Sequence, residues 1–276
     1  MSISIIILIF IGAAILSVKS LKKSLARPLV YDKYNIEELG KAFSVDRSGE
    51  IAQKFQKNIT SLSETGSCVD CDLLTTRNDI ESENRTIFDA IQNAKKRGKI
   101  INLSGANLFL AKLSGIDLSG ADLHDANLLG ADLNGVNLSK ANLQGANLDG
   151  AKLNGANLEG ADLTEAYMAK AQLVGANLTN AILHQARLMW TNMQQANFAN
   201  AILTESIMIP SSTSETNFSN ADFSGARIIS GFNPSAVLTN VKLDNWFTRW
   251  IRVFPLYVLL FLERMKLDKV IKYLTR

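Results

Sequence analysis

The sequence predicts an all-β solenoid core, because one five-residue period runs without a slip from Ile101 to Met208. Every unit carries a large apolar residue, the centre, at positions 103, 108 and so on to 208, and a compact residue, the small site, two positions earlier. A helix would need an apolar stripe at 3.6 residues, and a single strand would need alternation at two. The period of five therefore predicts a coiling chain whose successive turns stack through backbone hydrogen bonds.

The composition of the units supports this prediction. Of the 22 centres, 18 are Leu, three are Met and one is Phe, and Ala fills 17 of the 22 small sites. Ten of the 17 glycines lie two residues after one of these centres, and Gly225 lies two residues after Phe223 in the same frame, which predicts a corner in every unit. The centres should form a solid interior core, represented by Leu108, Leu123, Leu148, Leu163, Leu178 and Phe198.

The recurring A-(D/N)-L-x-x pattern, such as Ala-Asn-Leu at 106–108 and Ala-Asp-Leu at 161–163, resembles the pentapeptide repeat family. The resemblance implies a right-handed, quadrilateral β-helix with four units per coil, so that residues twenty apart stack at roughly 4.8 Å. The frame continues past Met208 and predicts a solenoid over residues 101–245. Irregular corners are expected at 209–216, where Thr213 takes a centre, and at 229–235.

The ends of a solenoid expose unpaired backbone and are expected to be capped. Residues 83–98 predict an N-terminal cap helix, with apolar side chains on one face, cations in the last turn and a terminal Gly98. Residues 246–276 predict a C-terminal amphipathic cap helix, because their leucines follow helical spacing.

A second hypothesis for residues 246–276 is a helix lying in the membrane interface. Aromatic side chains would then sit at the lipid headgroups and arginines would face anionic lipid. The residues in these roles are Trp246, Trp250, Tyr257, Arg249 and Arg252.

The amino-terminal residues 1–18 carry no charged side chain and predict a transmembrane or signal-anchor helix. Cations follow this run, from Lys19 to Arg27, and none precedes it, so we expect a single-pass protein with most of the chain on the cytoplasmic or stromal side. A cleaved signal peptide and a soluble helix are the alternatives. Residues 19–82 are predicted to be a juxtamembrane linker with short helices around 36–43 and 50–59.

The two cysteines fit the repeat frame. Cys68 falls on a centre, Cys71 on a small site and Leu73 on the next centre, which favours an isolated inward-facing β-turn under the cap. A disulfide and a metal or redox pair are the alternatives. Zinc would need further ligands, and His124 and His184 lie three coils apart, roughly 14 Å.

Nothing in the sequence indicates catalysis. It holds no phosphate-binding loop, nucleophile elbow or H-E-x-x-H motif, so we predict no enzyme activity, no cofactor, no metal and no small-molecule substrate. The acids Asp117, Asp122, Asp132 and Asp162 occupy positions that Asn takes in other units, and we interpret them as a solvated repeat face.

The predicted function is that of a membrane-anchored scaffold or docking rod for an unidentified protein partner. The net charge of +3 argues against nucleic acid as a partner. The alternative is regulation of a soluble enzyme by DNA-like surface mimicry, because the resemblance implies that some family members bind DNA gyrase in this way. Residues 101–208 carry nine acids against five bases, a weak charge for such mimicry.

Overall fold

The computed structural model describes residues 48–71, 73, 80–228 and 232–243. The chain divides into two units at Ser48, and every described residue except Ser48 belongs to the second unit, Gly49–Arg276. The predicted membrane segment 1–18 and the predicted tail helix 246–276 lie outside the described residues. Within the described ranges, no helix combines the length and the apolarity that crossing a membrane requires.

The repeat region is a β-helix in which each coil takes twenty residues. Parallel pairings join residues twenty apart, from Asn102↔Asp122 at the first coil to Asp222↔Lys242 at the last. Each coil therefore contains four five-residue units, one on each side of the rod. We number the sides by their first outward residue: face 1 starts at Asn102, face 2 at Asn107, face 3 at Lys112 and face 4 at Asp117. Each face includes the two turn residues that follow its centres.

Backbone hydrogen bonds repeat in every unit and explain the period. The Leu103 N–H donates to the carbonyl of Asp122 on the next coil at 2.7 Å, and the Asp122 N–H donates back to Ile101 at 2.8 Å. The turn at the end of a unit is closed by the first residue of the next one. The Ala106 N–H, for example, donates to the Leu103 carbonyl at 3.1 Å. The last residue of the unit, the corner, has a positive φ, as at Gly105 with +63°.

The interior is filled by the centres and the small sites. The six representative core residues of the sequence prediction, Leu108, Leu123, Leu148, Leu163, Leu178 and Phe198, have no exposed surface. Beyond Met208 the same frame buries Phe218 and Phe223, and the Phe198 and Phe218 rings stack with centroids 5.1 Å apart. The core therefore continues along the rod past the regular repeats.

Three short strands lie on face 2, where the extended stretches are longest. They are β1 (Arg187–Met189), β2 (Ile207–Ile209) and β3 (Arg227–Ile228). They form a parallel sheet in the order β1-β2-β3, with Arg187 beside Ile207 and Ile207 beside Arg227.

The irregular corner expected at 209–216 is present, but its cause is Pro210. The proline ring holds φ near −65°, so Pro210 cannot take the positive φ of the other corners. The chain stays extended through Ile209 and bends at Ser211 instead. Thr213 nevertheless lies buried at a centre, and its Oγ1 accepts a hydrogen bond from the Asn233 N–H at 2.6 Å.

Within the described residues, two helices precede the rod. Helix α1 spans Ser48–Thr65, and helix α2 spans Ile80–Lys96. Helix α2 corresponds to the predicted cap at 83–98, beginning three residues earlier and ending two earlier. Ile87 and Ile91 of α2 are fully buried in the same core as the first centres of the rod. Lys95 ties the helix to the first coil by donating to the Ser119 carbonyl at 2.8 Å.

The cysteine turn stacks on the first coil and is closed by a disulfide between Cys68 and Cys71. The Cys68 N–H donates to the Asn102 carbonyl at 2.7 Å, and both cysteines and Leu73 are buried. The inward-facing turn predicted from the frame is therefore present, but its cysteines are bonded to each other. The preference for an unbonded turn was wrong, because one tight turn directs both side chains into the same small space.

Candidate docking surface

The rod offers its outer faces for function, since centres and small sites fill its interior. Among the described residues, no group of three or more His, Cys, Asp or Glu side chains is arranged to hold a metal ion. The predicted membrane-interface residues Trp246, Trp250, Tyr257, Arg249 and Arg252 lie outside the described ranges. The four faces carry different polar, charged and apolar side chains.

Face 4 is a ladder of amides that bond to one another. Asn137 Nδ2 donates to Asp117 Oδ1 at 3.1 Å, Asn157 Nδ2 donates to Asn137 Oδ1 at 3.3 Å, and Asn177 continues the series. Asp117 also contacts Lys95 of helix α2 at 3.4 Å. Burial tends to raise the pKa of Asp117, but hydrogen bonds from Ser119 and the charge of Lys95 lower it overall. The polar groups of this face thus stabilise the stack.

The four acids considered as a paired-carboxylate site are not brought together. Asp117 lies on face 4, Asp132 on face 3, and Asp122 and Asp162 on face 1 with Asn142 between them. On face 3, Asp132 accepts a hydrogen bond from the Ser114 hydroxyl at 2.7 Å. Burial tends to raise the pKa of Asp132, but this bond and the charge of the stacked Lys152 lower it.

Face 1 is the acidic side of the rod. It carries only one Lys or Arg within the described residues, Lys242, which pairs with Asp222 at 2.7 Å. His124 contacts Asp122 at 2.9 Å, and this hydrogen bond raises the pKa of His124. The remaining acids of face 1 in the repeats are Asp125, Asp162, Glu165 and Glu205.

Face 2 changes character along the rod. Its outward column begins with Asn107, Asn127 and Asn147 and then turns aromatic, cationic and aliphatic. We name this second part the Trp190 surface; it consists of Tyr167, Arg187, Trp190, Ile207 and Ile209.

Trp190 is the most prominent residue of this surface. It occupies a corner with φ +57°, and 54% of its surface is exposed. Next to it, the Arg187 guanidinium lies over the Tyr167 ring, 4.9 Å from its centroid. Exposed aromatic side chains beside arginine are typical of protein contact sites.

One carboxylate lies beside these groups. Asp149 Oδ1 accepts a hydrogen bond from the Ala169 N–H at 2.7 Å. Burial raises the pKa of Asp149, and the hydrogen bond with the nearby charges of Arg187 and Lys170 opposes the rise only in part. The five-residue pattern does not single out this surface. The available signal was the replacement of Asn or Asp by Tyr, Arg and Ile at outward positions 167, 187 and 207.

The stacked coils and the filled interior define a β-solenoid repeat protein. The side chains available to contact another molecule all lie on its outer faces. The family model for pentapeptide repeats matches eight copies, at residues 101–139, 141–180 and 171–208. Residues 101–208 are therefore pentapeptide repeats, as the sequence predicted, and pentapeptide repeat proteins fold as a right-handed β-helix. A comparison with curated proteins found no match.

Several solved structures are similar to this chain. HetL, a pentapeptide repeat protein involved in heterocyst differentiation regulation in the cyanobacterium Nostoc sp. strain PCC 7120, is 29% identical, with 56% of this chain and 67% of HetL covered and a TM-score of 0.43. A pentapeptide repeat protein of the Arabidopsis thaliana thylakoid lumen is 31% identical over 38% of this chain and 66% of its own, with a TM-score of 0.19. Full-length QnrB1, a plasmid-mediated fluoroquinolone resistance protein, is 18% identical over 56% and 88%, with a TM-score of 0.21.

Proposed function

We propose that this protein is a non-enzymatic rod that docks other proteins on its outer faces and is anchored in a membrane by residues 1–18. The single observation that supports docking best is the Trp190 surface, where an aromatic side chain stands exposed on a rigid sheet. A side chain held by stacked backbone bonds loses little freedom on binding, which favours its use as a fixed contact.

Docking is tested by placing a photo-cross-linking amino acid at position 190 of the full chain in its native cells. A matched position on the amide ladder of face 4, Asn157, serves as the control. We expect a discrete protein adduct from position 190 and none from position 157. Absence of any protein adduct from all four faces, sampled at one position each, would remove the docking function.

The anchor is a separate part of the proposal. An uncharged run at residues 1–18 followed by cations at Lys19, Lys22, Lys23 and Arg27 supports a rod on the cytoplasmic or stromal side. Sealed vesicles treated with protease from either side test it. We expect the rod to stay with the membrane after an alkaline wash and to be cut free only from the cytoplasmic side. Release by the wash alone would contradict the anchor.

A second function, mimicry of DNA toward an enzyme such as DNA gyrase, has one observation in its favour. Five of the nine acids of residues 101–208 lie on face 1, with Asp122, Asp162 and Glu205 as examples, and its only described cation is Lys242. A supercoiling assay with the full chain at micromolar concentration tests this hypothesis. Unchanged supercoiling would exclude it and would leave the docking proposal intact.

A further inference from the structure

We propose that the Trp190 surface binds an apolar segment of a partner protein that carries acidic side chains. This inference rests on the proposed docking function and adds the place on the rod and the chemistry of the partner. Three features of face 2 support it: an exposed Trp190, a hydrogen-bonded parallel sheet that ends next to it, and an excess of positive charge.

The Trp190 side chain contributes little to the stability of the rod, because it stands exposed at a corner with positive φ. A positive φ costs an ordinary side chain roughly 1–2 kcal/mol relative to a right-handed conformation. Trp190 has φ +57° and remains 54% exposed, so little burial within the chain offsets that cost. Leu110 shares this conformation and exposure, so what distinguishes Trp190 is the large aromatic side chain that it presents beside arginine.

The backbone beside Trp190 is held by hydrogen-bonded parallel strands. Strands β1 and β2 run side by side on face 2, and Pro210 keeps the chain extended where other coils make a tight corner. Strand β1 is paired on both sides, with Tyr167 below and Ile207 above. A partner therefore binds through side chains and does not add a strand to a free edge.

The charge of face 2 favours an acidic partner. Its described cations are Lys170, Arg187 and Arg227, against the single carboxylate of Asp149. Lys170 precedes Trp190 by one coil in the same corner column. Glu165 and Glu205 lie at the opposite edge of face 2, in the corner shared with face 1. The side-chain charge thus changes from negative at the edge shared with face 1 to positive at the Trp190 edge. This gradient directs acidic groups of the partner toward the Trp190 edge.

A protein is favoured over a lipid surface as the partner. Recognition of anionic lipid generally uses clusters of about four to eight cations, whereas face 2 has three in its described residues. Trp, Tyr and Arg are the residue types that dominate binding energy at protein interfaces, and all three adjoin here, with Arg187 stacked on Tyr167.

Two variants of the full chain separate binding from folding. Trp190→Gly removes the indole at a corner that glycine suits, so the rod should melt at the same or a higher temperature. Leu110→Gly is the matched control, because Leu110 occupies the same corner column of face 2 with φ +57° and 48% exposure. Both changes relieve the same strain, and only the first removes the proposed contact.

The test is selection of displayed random 12-residue peptides on the full chain and on both variants. We expect the enriched peptides to combine apolar and acidic residues, to bind Trp190→Gly at least tenfold more weakly and to bind Leu110→Gly unchanged. Enrichment of basic peptides would overturn the inference. Peptides that bind Trp190→Gly unchanged would also overturn it but would leave docking on another face intact.

Two further measurements test whether a membrane or a second copy of this chain occupies the Trp190 surface instead. Binding to vesicles of anionic phospholipid that depends on Trp190, without any selected peptide, would assign the surface to a membrane and overturn the inference. A dimer in sedimentation that dissociates in Trp190→Gly would assign it to a second copy of this chain, with the same consequence. If no face of the rod cross-links a protein in cells, the docking function itself is wrong, and this inference is wrong with it.

Discussion

The corners of the rod differ between its two halves although their backbone is the same. From 105 to 175, ten of the fifteen corners are Gly, whereas none of the six from 180 to 205 is. The φ values barely change: Gly150 has +66° and Asn200 has +58°. The conformation is therefore imposed by the coil, and glycine only makes it easier to adopt.

The glycine-poor half compensates with bonds between corner side chains. Gln185 Nε2 donates to Glu205 Oε2 at 2.8 Å, and Gln195 Nε2 donates to Glu215 Oε2 at 3.0 Å. Glycine corners lack such a ladder, but they leave space for a neighbour: a Cβ added at Gly130 would meet the Leu110 side chain on the coil before. One half thus gains backbone freedom, and the other gains side-chain hydrogen bonds.

The largest effect should be the same in both halves, because both share one interior. Leu123→Asp and Leu203→Asp each bury an unpaired charge at a fully buried centre, and we expect a loss of about 4 kcal/mol or more in the free energy of unfolding. Urea unfolding followed by circular dichroism measures it. Leu→Met at the same two positions should cost less than about 1.5 kcal/mol. Tolerance of Asp in either half would mean that this half has no packed core.

The corners should respond differently. Gly150→Ala introduces no contact within 4 Å, so its cost is conformational, about 1–2 kcal/mol. Asn200→Gly removes the same kind of strain but loses the hydrogen bond from Asn220 Nδ2 at 3.1 Å, and we expect a net change within about 0.5 kcal/mol. Thermal melting of the two variants measures this contrast. A gain of about 1 kcal/mol or more in Asn200→Gly would show that the side-chain ladder does not compensate for the strain that glycine avoids.

The small sites of the second half offer a stabilising change. Among the described side chains, the Ser206 hydroxyl is the one buried polar atom without a hydrogen-bond partner. Ser206→Ala should raise the free energy of unfolding by about 1 kcal/mol, because Ala fills this site in most units.

Thr191 provides the matched control for Ser206. Its buried Oγ1 donates to the Met168 carbonyl at 3.0 Å, so Thr191→Ala should lower the melting temperature while Ser206→Ala raises it. A loss of stability in both variants would indicate that the Ser206 hydroxyl is bonded after all.

The sequence predicted the interior better than the surface for a physical reason. Whether a side chain points inward is set within each unit, so the apolar residue type at positions such as Leu108 or Leu178 is enough to predict it. The Trp190 surface depends on which residues become neighbours twenty positions apart, and its members fall on outward and turn positions where most side chains are tolerated. Attention to the exceptions among outward residues, such as Tyr167 and Ile207, would have found it.

The two local corrections have similar causes. The irregular corner was assigned to Thr213 because its side chain breaks the pattern of centres, whereas Pro210 acts through its backbone. The bond between Cys68 and Cys71 depends on the distance across one turn, which the repeat frame does not specify. Both features are set by geometry that a list of residue types does not contain.

The smallest effect concerns Asp149, in the glycine-rich half. Asn134 and Asn154 hold the same turn position on face 3, and the Oδ1 of Asn154 accepts the Val174 N–H at 3.0 Å, much as Asp149 accepts that of Ala169. Asp149→Asn should therefore keep the hydrogen bond and remove a buried charge. We expect a gain of about 0.5 kcal/mol at neutral pH.

The pH dependence of this variant follows from the raised pKa of Asp149, caused by burial. The folded protein holds the proton more tightly than the unfolded chain, so stability is lost as pH rises through the folded pKa. The advantage of Asp149→Asn should be present at neutral pH and vanish below the unfolded pKa of Asp, about 3.9. Melting at both pH values measures it. A variant that is less stable at neutral pH would show that attraction from Arg187 and Lys170 outweighs the cost of burying Asp149. The Asp149 carboxylate would then be the counterion of the cations on the Trp190 surface.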